Sequence, residues 1–159
     1  MICYHGSDVI VNNPRILNSM RPLDFGSGFY VTTSEQQAIN WAIKVSYRNN
    51  SCKKYVTKYD FDFENANENL KIIIFDKADE KWLDFIVNNR NGRNTYDYDI
   101  VIGPVADDKV YRVVVEYENN DIDKETALKQ LKTEKLCNQI LFHTINSLQY
   151  LSYISVEEF

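Results

Sequence analysis

Little in this chain of 159 residues would stiffen or anchor it from outside its own core. It has three cysteines, Cys3, Cys52 and Cys137, an odd number without CxxC spacing. That excludes a disulfide framework and a cysteine zinc site, and it fits a reducing compartment. Cys3 and Cys137 lie in apolar runs and are expected to be buried as small hydrophobes. Nowhere do about 18 apolar residues run together, so no membrane-spanning helix is expected. The opening MICYHGSD lacks the basic and apolar regions of a secretory signal. These absences point to a cytoplasmic protein.

Glycine and proline are also scarce, at 5 and 3. No linker rich in Pro, Gly or Ser and no repeat interrupts the chain, so one domain over residues 1–159 is expected. Basic residues are outnumbered, 18 against 23, giving a net charge of −5. An acidic surface repels phosphate backbones, which argues against non-specific nucleic-acid binding and leaves room only for a local basic pocket for a nucleotide. What is present is ordinary for a globular protein: 44% hydrophobic and 26% charged residues, which excludes disorder, collagen and coiled coil. Aromatic residues stand out at 13%, with 11 Tyr, 8 Phe and 2 Trp.

Hydrophobic periodicity outlines the elements. Ile2–His5 reads as a short strand and Gly28–Val31 as a second. Ser34 followed by Gln37 is a capping box, opening a helix with Ala38, Trp41, Ala42 and Val45 on one face. Lys54–Phe63 alternates as a half-buried strand, and the unbroken apolar run Leu70–Phe75 reads as a buried one. Helical spacing covers Asp79–Asn89 through Trp82, Phe85 and Ile86. It recurs weakly at Val110, Val113, Val114 and Tyr117, and again over Asp123–Lys135 with Asp123 as N-cap. Asn138–His143 is a strand, Thr144–Leu148 one helical turn and Tyr150–Val156 a last strand. Short strands mixed with helices, without regular βαβ alternation, make the class α+β.

Two local features invite chemistry. His5 ends the first strand and is followed by Gly6 and Ser7, and Asp24–Tyr30 sets two glycines around Phe25 and ahead of Phe29-Tyr30. Each has a plain structural reading, a core histidine and a turn.

Taken together, YHGS at Tyr4–Ser7, GFYVT at Gly28–Thr32 and the aromatic Trp41, eleven residues after Tyr30, resemble the ADP-ribosyltransferase superfamily of the diphtheria-toxin and poly(ADP-ribose) polymerase type. The likeness covers roughly the first quarter of the chain. The longer run, with DIVIGPVADD and NQILFHT, is similar to small bacterial proteins of unknown function that are often paired with a partner as toxin and antitoxin. The resemblance implies a split β-sheet core with flanking helices and NAD as substrate, with no metal. It gives His5, Tyr30 and Gln139 the catalytic positions, and His5, Gly6, Ser7, Tyr30, Thr32 and Trp41 the contacts to NAD.

Physical logic fits that assignment. Nicotinamide is cationic until it leaves, and rings on either side of it, Tyr30 and Trp41, would each contribute about 0.5–2 kcal/mol. The Gly6 backbone offers a donor and an acceptor to the carboxamide, and His5 would bond the adenosine ribose. Better-known relatives carry Glu where this chain has Gln139, and the residue two before it, which selects the acceptor in arginine-modifying members, is Cys137. The expected activity is therefore mono-ADP-ribosyl transfer to a macromolecular acceptor. NAD glycohydrolysis and an inactive NAD-binding module are the alternatives. RNA 2′-phosphotransfer, which needs a more basic pocket, is disfavoured. Glu116, Glu118 and Glu134 are weaker substitutes for Gln139. His143, the GPVADD turn capped by Asp107 or Asp108, and Arg15, Arg21 and Arg48 as pyrophosphate partners are weaker candidates still. Tyr55, Tyr59, Tyr96 and Tyr98 read as core and sheet surface.

Overall fold

In a computed structural model, described over residues 1–17, 23–93, 97–105, 108–132 and 138–159, all seven described strands join one mixed sheet. In chain order the elements are β1 (Ile2–Ser7), β2 (Phe29–Thr32), α1 (Glu35–Arg48), β3 (Tyr55–Phe61), α2 (Phe63–Asn69), β4 (Ile72–Ile74), α3 (Glu80–Arg90), β5 (Ile100–Pro104), α4 (Asp108–Glu118), α5 (Lys124–Leu131), β6 (Asn138–Phe142), α6 (Ile145–Leu148) and β7 (Leu151–Glu158). The spatial order is β4-β5-β6-β2-β1-β3-β7, antiparallel except for the β4–β5 pair. The class is α+β.

Short polar side chains start the helices by accepting from N–H groups that have no partner within the helix. Ser34 does so for Gln37, Asp79 for Trp82 and Asp123 for Thr126. Only half of the expected capping box forms. The Gln37 side chain does not return to Ser34; it accepts from the Thr32 hydroxyl at 2.9 Å, and that hydroxyl takes the Ser34 N–H. The core has two parts, one on each face of the sheet. Trp82, Leu83 and Ile86 of α3 pack with Val110 and Val114 of α4, Leu131 of α5, Val101 and Leu141. Across the sheet, Cys3, Phe29, Val31, Tyr59, Phe61, Ile140 and Phe142 form the second cluster. Cys3 is fully buried, and desolvation pushes its thiol up to about 12, so it is an inert filler. Cys137, Glu134, Arg21, Tyr96 and Asp107 lie outside the described residues.

Further expectations change. The first strand does not end at His5 but runs on through Ser7. Leu70–Phe75 is not a buried strand: its strand is only Ile72–Ile74, at the sheet edge, with Ile74 exposed. The expected strand Lys54–Phe63 ends at Phe61, because Asp62 caps an unforeseen helix, α2, whose only buried residue is Ala66. α1 turns Ala38, Ala42 and Ser46 inward, which leaves Trp41 beside the contact and 48% exposed. β7 continues to Glu158 and carries an irregularity: Lys58 pairs with Ser155 and Tyr59 with Tyr153, so Ile154 is an extra residue in the ladder.

β2 meets β6 at close quarters. A Cβ on Gly28 would lie 2.3 Å from the Phe142 carbonyl oxygen and 2.5 Å from Leu141 Cδ1, and its φ of +154° suits few L side chains. Gly28→Ala is expected to destabilise the fold by about 3 kcal/mol through overpacking and strain. The shift in the urea midpoint measures it.

Candidate functional site

The site begins where a ladder stops. β1 and β2 share one registered pair, Tyr4 with Thr32, whereas β1 pairs with β3 over its whole length. The Phe61 N–H donates to the Met1 carbonyl at 2.8 Å. In an antiparallel ladder the hydrogen-bonded residues alternate, so Cys3, His5 and Ser7 bond toward β3. Tyr4 and Gly6 therefore direct their N–H and C=O groups toward β2. Beyond Tyr4 the two strands part, and Gly6 faces the resulting seam.

His5 fills part of that seam. Its Nδ1 lies 2.7 Å from the Tyr30 carbonyl oxygen, and its ring stands 4.5 Å from that of Phe29. A carbonyl only accepts, so Nδ1 carries the proton. Desolvation of the ring lowers its pKa, opposed by the bond to Tyr30, and the neutral form is favoured. Nε2 is then a lone-pair acceptor.

Cross-strand partners share a face. Thr32 pairs with Gln139, and Tyr30 with Leu141. Gln139 also pairs with Gly103. By this register Gly6, Tyr30, Thr32 and Gln139 lie on one side of the sheet, the side that α1 covers. His5 lies on the other side with Phe29 and reaches the group only through the seam. Gln139 is 9% exposed, and its Nε2 is buried without a hydrogen-bond partner among the described residues. Leaving a buried amide donor unmade costs about 1–3 kcal/mol, so it needs a reason.

The remaining expected residues have structural duties. A Cβ on Gly6 would meet the Ala38 carbonyl oxygen at 1.9 Å, so α1 itself demands a glycine there. Ser7 Oγ accepts from the Val9 N–H, and the Thr32 hydroxyl serves Gln37, Ser34 and the Asn138 carbonyl. Trp41 carries the Arg48 guanidinium at 5.6 Å from its ring centroid. Glu118 joins the Arg90 network and Glu116 pairs loosely with Arg112, so neither stands in for Gln139. His143 Nδ1 meets the Ser27 carbonyl at 2.6 Å.

That last contact belongs to a set the sequence did not reveal. The turn from Asp24 to Ser27 offers four consecutive carbonyls, each taken by a side chain. Asn89 donates to Asp24 O at 3.0 Å, the Tyr98 hydroxyl to Phe25 O at 2.8 Å and the Tyr30 hydroxyl to Gly26 O at 2.6 Å, with His143 on Ser27. Arg90, its side chain 8% exposed, binds the Asp24 carboxylate through Nε and Nη2 at 2.9 and 2.6 Å. The Tyr30 ring, which packs partly on the α3–α4 cluster, is thereby fixed in orientation beside the seam. Arg90 was not foreseen; its only sequence signal is a cation in the last turn of α3.

Elsewhere, a cleft of about 550 Å³ opens beside Pro104, Asn138 and the first turn of α3. Gln139 does not line it. Among the described residues no cluster of His, Cys, Asp and Glu suits a metal ion, and no helix is long and apolar enough to cross a membrane.

The architecture is thus an α+β sheet with an opened β1–β2 seam. Over residues 1–153 the chain matches the model of a family of proteins of unknown function, DUF3990, and it belongs to that family. No curated protein and no solved structure matches it.

Two outcomes follow from this geometry. Arg90→Met strands the Asp24 carboxylate and should cost about 3 kcal/mol in unfolding free energy, measured by urea titration. For His5 the folded pKa lies below the ordinary 6.5, so the unfolded chain binds more protons. Its stabilising effect is complete above pH 6.5 and is lost as pH falls through the folded value. Urea midpoints should therefore decline less steeply in His5→Gln than in the parent as the pH falls below 6.5.

Proposed function

We propose that this protein is an NAD-dependent mono-ADP-ribosyltransferase whose single sheet opens at the β1–β2 seam, where that superfamily has its split. It moves ADP-ribose to a macromolecular acceptor and releases nicotinamide; a small neutralising partner is part of the same reading. The observation that carries it is the buried amide of Gln139, whose Nε2 has no partner among the described residues and which shares a face with Gly6 and Tyr30. A sugar hydroxyl is a suitable acceptor for that donor.

In this reading NAD crosses the seam. Its carboxamide takes the N–H and C=O of Gly6, its nicotinamide ring lies between Tyr30 and Trp41, and its adenosine ribose donates a hydroxyl proton to His5 Nε2. Gln139 holds the nicotinamide ribose. The bond from C1′ to the pyridinium nitrogen breaks, and its electron pair neutralises the ring, which departs as nicotinamide. An acceptor lone pair then forms the new bond at C1′, and the acceptor loses its proton to solvent. C1′ is oxocarbenium-like in between, as in glycoside hydrolysis. A leaving group already cationic needs no general acid, which suits a site whose histidines use Nδ1 to hold carbonyls.

The neutral amide supports a second reading. Without a carboxylate to stabilise C1′, the rate falls by about 10²–10³, and the chain approaches an NAD-binding module with little turnover. Water in place of the acceptor makes it a glycohydrolase.

Nicotinamide release from NAD, with and without cell lysate, separates these. A transferase needs lysate, a glycohydrolase does not, and a binding module shows only thermal stabilisation by NAD. At 100 times its dissociation constant NAD should add about 2.7 kcal/mol. Gln139→Leu should abolish both release and the NAD shift, while leaving the unliganded fold equally stable or more so, because it removes an unmade hydrogen bond. Wild-type protein that neither binds nor cleaves NAD would overturn the reading.

A further inference from the structure

Charge is distributed unevenly along this chain. From Gln36 to Tyr59 it carries five of its 18 basic residues, Lys44, Arg48, Lys53, Lys54 and Lys58, and none of its 23 acidic ones. That segment is α1 and most of β3. The net charge of −5 therefore averages a basic strip with a strongly acidic remainder. Net charge argues against binding spread over the whole surface and says nothing against a strip.

The strip also displays rings. With Ala38, Ala42 and Ser46 turned to the sheet, α1 exposes Trp41, Lys44, Tyr47 and Arg48. Tyr47 is 87% exposed, so its ring contributes almost nothing to the core. Arg48 lies over Trp41, and Lys58 Nζ stands 6.0 Å from the ring centroid of Tyr4, its cross-strand partner. Lys54, four residues before Lys58, falls on the same side by strand alternation. Lys53 is excluded: it is held by the Tyr55 hydroxyl at 3.1 Å and lies 3.7 Å from Glu158. Among the described residues the carboxylates bordering the strip are Asp8, which accepts from Asn49, Glu35 in the first turn of α1, Glu157 opposite Val56, and Asp60, two residues past Lys58 and paired with the Met1 ammonium at 2.8 Å.

We propose that this strip binds a single-stranded nucleic acid, with phosphates on Arg48, Lys54 and Lys58 and a base stacked on Tyr47. Every nucleotide brings one charge and one π-face, the two chemistries that alternate here. An acidic polypeptide would use the cations and leave Tyr47 in water. Trp41 lies between Ala38 and Ala42, whose backbones meet Gly6, so a strand along α1 arrives beside the seam. That the strand is also the acceptor rests on the transferase reading; its binding does not.

The test is fluorescence anisotropy of labelled oligo-dT and oligo-U of about 20 nucleotides, titrated with the full chain in about 50 mM salt and without NAD. Saturable binding that weakens steeply with salt is expected. The double variant Arg48→Glu/Lys54→Glu should lose at least about tenfold in affinity and flatten the salt dependence. Tyr47→Ala should lose about fivefold or more with the salt slope unchanged. Lys71→Glu, at the β4 end and paired with Asp97, should bind as the parent does. No binding by the parent, an equal loss in Lys71→Glu, or competition by polyglutamate as strong as by oligo-dT would overturn the proposal, the last in favour of an acidic protein. Since NAD is absent throughout, failure here and failure of the nicotinamide assay are separate results.

Discussion

The structure turns on the backbone of Asp24–Ser27. An irregular stretch that passes beneath α3 and against β6 cannot take its hydrogen bonds from a ladder, and a buried carbonyl left unmade is costly. Here each of the four carbonyls is met by a side chain from a different part of the chain: Asn89, Tyr98, Tyr30 and His143. Arg90 adds the only carboxylate–guanidinium pair of this stretch among the described residues. The turn is thus held by α3, by Tyr98 just ahead of β5, by His143 just past β6 and by the strand it introduces. The direction of β2 and the placement of the Tyr30 ring depend on it.

The same clamps set the chemical character of the seam. Both histidines use Nδ1 on a carbonyl, and in His5 desolvation keeps the ring neutral. The polar groups facing the Tyr30 side are an amide, a hydroxyl and backbone dipoles. In the transferase reading, such a surface would hold NAD by geometry and discriminate by hydrogen bonding. Ionisation contributes little. Gln139 leaves a buried donor unmade among the described residues, where a leucine of similar size would fill the space without one.

Sequence reading captured the elements whose signals are local. Ser34, Asp79 and Asp123 combine a cap with helical spacing, and NQILF alternates between two buried faces. α2 escaped because FENANEN has almost no apolar periodicity and is held by one alanine and a capping aspartate. The three isoleucines of β4 looked buried because an apolar run does not say whether both faces are covered. Trp41 looked inward because helical spacing alone tolerates it, whereas α1 approaches β1 closely at Gly6 through Ala38 and Ala42 and buries Ser46 in the next turn. The seam and the clamps are relations between positions far apart in the chain: Tyr4 with Thr32, Asp24 with Arg90, Ser27 with His143. His5 and Gln139 were legible as residues, and what the sequence withheld was that they lie on opposite sides of the sheet.

A sheet built this way has two ends to protect. At one, β4 offers only three residues, too short a template for another strand to zip onto. At the other, β7 is eight residues long, and Leu151–Val156 carries no charge, proline or glycine, the composition that favours intermolecular cross-β stacking. The supernumerary Ile154 interrupts that border midway. A bulge coils the strand and breaks the even spacing of its outward N–H and C=O groups, so a second chain finds no straight run to match. The irregularity at Ile154 thus blunts the longer border of the sheet, independently of the β1–β2 seam.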